Sequence, residues 1–139
     1  MKGVELVDLN VHGDERGSLI ALEALSKEVP FEVKRVYYIF GVNDNSVRGK
    51  HAHYKLKQLL ICVNGSVDIM AEDGKDKEIF HLDRANRGLY IEGFIWREMK
   101  NFSKDTVLVV LASEHYIEAD YVRDYEKFLR EVKNDTSTL

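Results

Sequence analysis

The sequence predicts an all-β fold of sandwich or jelly-roll type, roughly ten or more short strands with a single C-terminal helix. Three observations predict it: short apolar segments separated by turn residues, apolar–polar alternation within several of them, and helical spacing only near the end. In chain order the candidate strands are VELVDL, GSLIALE, VKRVYYIF, RGKHAHY, KQLLICV, SVDIMAED, KEIFHL, GLYIEG, IWREM and TVLVVLAS. Their Val, Ile, Leu and Tyr content suits a pleated, half-buried surface. Asn64-Gly65, between LLICV and SVDIM, is the strongest hairpin signal, because a type I′ turn takes residues that tolerate positive φ. Asp73-Gly74 is the second. In DYVRDYEKFLREVK, Tyr121, Tyr125, Phe128, Leu129 and Val132 recur at three- and four-residue spacing, which predicts an amphipathic helix capped by Asp120. The closing NDTSTL is expected to fray.

A chain of 139 residues fits one domain, read here as residues 1–139. Its 45% hydrophobic content supports a packed core rather than disorder. No apolar run approaches the roughly 18 residues that would cross a bilayer, and the acidic start MKGVELVDLN lacks the apolar stretch of a signal peptide. The one cysteine, Cys62, rules out a disulfide within the chain, so a cytoplasmic home is expected. A net charge of −4 argues against a nucleic-acid footprint. Arg35, Arg48, Lys50, Lys55 and Lys57 nevertheless fall close together in the sequence, a local cationic patch suited to a small anion such as a diphosphate.

Function becomes legible between His51 and Gly65. The segment reads His-Ala-His, four residues, Gln58, six residues, Gly65. On a strand His51 and His53 share a face, together with Gly49 and Lys55. This spacing resembles the first signature of the cupins, a jelly-roll superfamily whose metal-dependent members ligate iron, manganese or zinc with two histidines, a glutamate and a later histidine. Two departures are evident. Gln58 occupies the glutamate slot, and in the second motif, GLYIEGFIWREM, Arg97 stands where the last histidine is expected. A neutral amide is a poor ligand and a permanent cation repels a divalent ion, so no metal and no cofactor are expected.

The resemblance is closer than a superfamily. DERGSL, VPFEVKRVYYIF, RGKHAHYKLKQLLICVNGSV, GLYIEGFIWREM, VLVVLASEHY and DYVRDYEKFL are similar to segments of the dTDP-4-keto-6-deoxyglucose 3,4-ketoisomerases. The resemblance implies a metal-independent isomerase acting on a dTDP-linked keto sugar, for 3-amino-3,6-dideoxyhexoses of bacterial surface glycans such as O-antigen. It also implies a homodimer with exchanged N-terminal strands, for which VELVDL and VKRVYYIF are suited.

Moving a ketone from C4 to C3 needs a base for the C3 proton, donors for the developing oxyanion, and a route for a proton between two oxygens. The resemblance points to His51 as the proton shuttle. His53 orients it or handles the oxygen-bound proton, and the Tyr37 phenol, on the face of Arg35 and Ile39, donates where charge builds. Arg48 is the first candidate for the diphosphate, with Arg35 and Lys50 behind it. Gln58, Trp96, Arg97 and Met99 complete the expected substrate contacts. Arg16, in DERGSL, and Arg97 occupy positions that in this family track the C4 configuration of the product. This chain carries arginine at both, which mixes the two patterns.

Three rival readings exist. A 3,5-epimerase-type cupin uses a His–Asp dyad and a Tyr acid, motifs not evident in this sequence. A metal-dependent dioxygenase conflicts with Gln58 and Arg97. A non-catalytic cupin that binds a nucleotide sugar would differ in showing no turnover.

Overall fold

The computed structural model describes residues 1–43 and 45–137, the last three of these by backbone alone. The strands are β1 (Val4–Asp8), β2 (His12–Asp14), β3 (Gly17–Leu19), β4 (Arg35–Ile39), β5 (Arg48–His53), β6 (Gln58–Asn64), β7 (Val67–Glu72), β8 (Lys77–Leu82), β9 (Arg87–Ile91), β10 (Trp96–Lys100), β11 (Val107–Ala112) and β12 (Tyr121–Val122). A 3-10 turn covers Glu118–Asp120, and α1 spans Tyr125–Ser137. One antiparallel sheet has the order β1-β9-β6-β11-β4 and the other β12-β5-β10-β7-β8, with β2-β3 a separate hairpin. This is the expected jelly-roll layering of two antiparallel sheets.

Side-chain alternation sorts the core into three layers. Leu60, Cys62, Ile69, Leu89, Leu108 and Val110 meet between the sheets. On the far side of the first sheet, Leu59, Ile61 and Tyr90 are covered by Val29 and Phe31 of the 20–34 segment. β6 is therefore apolar at successive positions, from Leu59 to Cys62, because both its faces are buried. On the far side of the second sheet, Met70 and Trp96 lie under Phe128 of α1. Each such large side chain contributes roughly 1.5–3 kcal/mol on burial.

Four sequence expectations change. Asn64-Gly65 is not a hairpin: β6 and β7 belong to different sheets, and the pair forms the corner between them. Gly65 has φ 78°, and a Cβ there would lie 2.5 Å from Ser103 Oγ and Thr106 Oγ1, so glycine is required by space as well as by conformation. Asp73-Gly74 does close a true hairpin, with Val67 opposite Leu82 and Glu72 opposite Lys77. GSLIALE shortens to Gly17–Leu19, and the rest runs on as cover for the first sheet. The helix starts at Tyr125, capped by Asp124, whose carboxylate accepts from the amides of Glu126 (2.9 Å) and Lys127 (3.3 Å). It runs on through Asn134–Ser137, where fraying was expected; Thr138 and Leu139 lie outside the described residues.

Candidate active site

A cavity of about 260 Å³ opens between the free edge of the first sheet, β4, and the β12-β5-β10 side of the second. Alternation on β4 sends Arg35, Tyr37 and Ile39 into it and leaves Val36 and Tyr38 outside. From the opposite wall come Arg48, Gly49, His51, Met99, Tyr121 and Arg123.

The β5 wall is irregular where it matters. His51 pairs with Arg97, but Gly49 pairs with Glu98, so Lys50 is an extra residue on β5. Gly49 and Lys50 have φ of 83° and 53°, a bulge in left-handed backbone. The bulge brings the Gly49 carbonyl to His51 Nδ1 at 2.9 Å. A carbonyl only accepts, so Nδ1 carries the proton and His51 Nε2 keeps its lone pair. Burial first, then the Arg97 cation, push the His51 pKa down to about 4. His51 is thus neutral near pH 7, a base ready to accept.

His53 stands behind it, 1% exposed, with ring centroids 4.7 Å apart. Its Nδ1 lies 3.2 Å from Asp120 Oδ2, while Nε2 is buried and has no hydrogen-bond partner among the described residues. Burial, and next the Arg97 charge, hold its pKa well below the usual imidazole range. Tyr121 packs its ring on both histidines, at 5.1 Å from His51 and 4.2 Å from His53.

Below this layer runs a directional chain of hydrogen bonds. Arg97, 0% exposed, donates through Nη1 to Gln58 Oε1 and through Nη2 to the Ile95 carbonyl at 3.1 Å. With its oxygen so engaged, Gln58 turns its amide NH₂ to Tyr37 and donates to the phenol oxygen at 2.9 Å. The Tyr37 proton is then free to point elsewhere. Burial raises the Tyr37 pKa, against the lowering pull of Arg97, so the phenol stays protonated.

Three cations surround the mouth. Arg35 lies over the Tyr37 ring at 5.1 Å and Arg123 over the Tyr121 ring at 4.2 Å, and Arg48, at the start of β5, lines the same cavity. Glu118 holds Arg123 through two hydrogen bonds of 2.9 and 3.0 Å.

Several sequence expectations need correction here. Arg16 is exposed on the β2–β3 hairpin, bonded to Asp14 at 2.6 Å, outside this cavity. Lys50 is consumed by the bulge and does not line the cavity, and Lys55 is exposed beyond the end of β5 rather than on the histidine face. Trp96 faces the other side of β10, packed on Tyr125 and Phe128 and bonded to Glu98 at 3.0 Å. Gln58 and Arg97 lie beneath the lining and act on Tyr37, not in the wall itself. A His–Asp pair does exist, His53–Asp120, although no local motif announced it. Asp120, Tyr121 and Arg123 went unread because the helical spacing of Tyr121 and Tyr125 absorbed them; β12 pairs instead with β5, Tyr121 opposite His53.

The donor set does not fit a divalent ion. Gln58 Oε1 is engaged by Arg97, whose cation occupies the position a third imidazole would need, and no cluster of three metal-ligating side chains exists among the described residues. No helix among these residues is long and apolar enough to cross a membrane.

Over residues 2–133 the sequence matches the family described as FdtA: WxcM-like, C-terminal. The chain belongs to this FdtA family. One relative, the TDP-4-oxo-6-deoxy-α-D-glucose-3,4-oxoisomerase of Aneurinibacillus thermoaerophilus, is 48% identical over 115 residues, 83% of this chain and 82% of that one. The crystal structure of the TDP-quinovose 3,4-ketoisomerase of Campylobacter jejuni superposes with a TM-score of 0.89 at 53% identity, covering 94% and 99% of the two chains. A histidine-to-asparagine variant of the Thermoanaerobacterium thermosaccharolyticum 3,4-ketoisomerase, in complex with TDP-4-keto-6-deoxyglucose, gives 0.93 at 41%, covering 96% of each. A 4-keto-6-deoxy sugar epimerase from Streptomyces spheroides shares only 20% identity at a TM-score of 0.73, a likeness of fold alone.

Proposed function

We propose that this FdtA-family protein is an isomerase converting dTDP-4-keto-6-deoxyglucose to a dTDP-3-keto-6-deoxyhexose. The observation that carries the reading is a neutral His51 facing a protonated Tyr37 across a small cavity rimmed by three arginines. His51 Nε2 takes the C3 proton, and the C3–H electrons form the C3=C4 bond as charge moves onto O4. The Tyr37 O–H donates a hydrogen bond to that oxygen, strengthened because Gln58 already supplies the phenol with one. We assign transfer of the O3 proton to O4 to His53, which stands directly behind His51 with Nε2 as its one nitrogen unpartnered among the described residues. Charge then returns from O3, the C3 carbonyl forms, and C4 collects the proton from His51. Both histidines finish as they began, so the cycle is redox-neutral. Arg35, Arg48 and Arg123 hold the diphosphate at the mouth, and Met99 contacts the sugar.

Incubation with dTDP-4-keto-6-deoxyglucose in heavy water tests this. The expected result is a 3-keto product, read by NMR, in which C4 carries the former C3 hydrogen, with deuterium there only to the extent that the proton on His51 exchanges with solvent before delivery. Binding without a 3-keto product would leave only a nucleotide-sugar-binding module, and deuterium at C5 would indicate an epimerase.

The protein also works as a homodimer with exchanged N-terminal strands on this reading. Supporting it, edge strand β4 exposes Val36 and Tyr38 at 55% and 63%, Phe40 just after it is 67% exposed, and the N-terminal segment exposes Val11 and Leu19. Sedimentation at micromolar concentration is expected to give a dimer, and Tyr38→Lys with Phe40→Lys to give a monomer. A wild-type monomer would rule the assembly out.

A further inference from the structure

His53 presents two nitrogens in different circumstances. Nε2 is buried and unpartnered, while Nδ1 meets the Asp120 carboxylate at 3.2 Å. Asp120 is itself fastened to the end of β5. Its Oδ1 accepts from the Lys55 amide at 2.8 Å, its carbonyl accepts from the Tyr54 amide at 3.1 Å, and its own amide donates to the Ile117 carbonyl at 3.0 Å. Tyr121, the next residue, packs against the imidazole with ring centroids 4.2 Å apart.

We propose that Asp120 is a positioning residue whose carboxylate keeps the His53 proton on Nδ1 and so presents Nε2 as the lone-pair acceptor. The proposal rests on the isomerase reading and assigns a role to a residue 67 positions from the histidine it serves. The chemistry selects a carboxylate. Lys55 N–H and His53 Nδ1–H are both donors, and they approach different oxygens of one side chain. Only a group with two acceptor atoms satisfies both. An asparagine offers one acceptor and one donor. Turned one way, it meets His53 with an NH₂ and drives the proton to Nε2, which blocks acceptance there. Turned the other way, it faces the Lys55 amide donor to donor and loosens the clamp that locates the ring. Both outcomes misplace the acceptor needed for the oxygen-bound proton.

The test is ¹⁵N NMR of the imidazoles in the full chain, with His53 assigned by its absence in His53→Gln. The wild type at pH 7 is expected to show a neutral His53 with the proton on Nδ1. A proton on Nε2, or an imidazolium, would overturn the proposal. Asp120→Asn is expected to change the His53 shifts and lower kcat on the order of 10²-fold, with KM within about threefold. Unchanged shifts, or a kcat within twofold of wild type, would count against it. Asp120→Glu, which restores two acceptors, is expected to recover part of kcat and the Nδ1-protonated pattern; failure to move either toward wild type would overturn the assignment. A wild type that folds with the expected tautomer yet turns over no keto sugar would defeat the isomerase reading and leave the tautomer result standing.

Discussion

Asparagine at position 51 is expected to lower kcat for conversion of dTDP-4-keto-6-deoxyglucose by about 10³-fold or more. General acid–base groups contribute typically 10²–10⁴, and here one imidazole both removes the C3 proton and delivers it to C4. An asparagine can occupy the space and accept a hydrogen bond, but it cannot carry a proton. TDP affinity should stay within about threefold, because the arginines at the mouth are untouched. NMR of the sugar and calorimetry with TDP separate the two effects, and a kcat within tenfold of wild type would sink the assignment. The pH profile follows from the same residue. With its pKa near 4, His51 remains a base down to that range, so the acid limb of kcat/KM should fall near pH 4, not 6.5. Stability has its own sign. Both histidines bind protons more weakly folded than unfolded, so their contribution is fully present above about 6.5 and is lost as pH falls toward the folded values. The loss should approach about 1.4 kcal/mol per pH unit for each histidine, measurable by denaturant melts between pH 7 and 5.

Where period and burial agree, the sequence was sufficient. The alternation Arg35-Tyr37-Ile39 against Val36-Tyr38 placed the right side chains in the cavity, and His51 and His53 share a face as their spacing demands. The errors have physical causes. Asn64-Gly65 turns the chain tightly, but turn chemistry is local and carries nothing about whether the flanking strands pair or part into two sheets. Lys50 sits in left-handed backbone that its residue type does not advertise, so the bulge that aims His51 was invisible. Trp96 and Arg97 are adjacent on β10 and take opposite pleats, so both cannot face the cavity side; α1 covers the Trp96 side. Asp120 and Tyr121 were lost to a plausible helix because Tyr121 and Tyr125 satisfy i, i+4 spacing. Only the pairing of Tyr121 with His53 across β12 and β5 decides otherwise.

Replacing Arg97 by methionine should move the acid limb of kcat/KM upward and lower kcat about 10²-fold, through two separable effects. The guanidinium is fully buried, and no salt bridge to a carboxylate offsets it among the described residues. Its charge therefore reaches the neighbouring titratable groups with little screening. It is the second cause, after burial, of the low pKa of both histidines. A cation disfavours imidazolium, so removing it raises the His51 pKa from about 4 toward the ordinary value, and the limb shifts to higher pH. The second effect is directional. Arg97 fixes Gln58 with its oxygen away from Tyr37. Without it the amide can turn over, and the Tyr37 proton is drawn to Gln58 Oε1 instead of to the substrate oxygen. Losing one oxyanion donor costs about 10²–10³ in kcat, which sets the scale. Folding stability discriminates poorly, because the acceptors left at Gln58 and Ile95 cost roughly 1–3 kcal/mol each while release of a buried charge offsets them. Arg97→Lys separates the two effects. It keeps the charge and loses the fork, so its pH limb should stay near that of wild type while kcat falls. An Arg97→Met profile superimposable on wild type would show that neither field nor fork reaches the reacting groups.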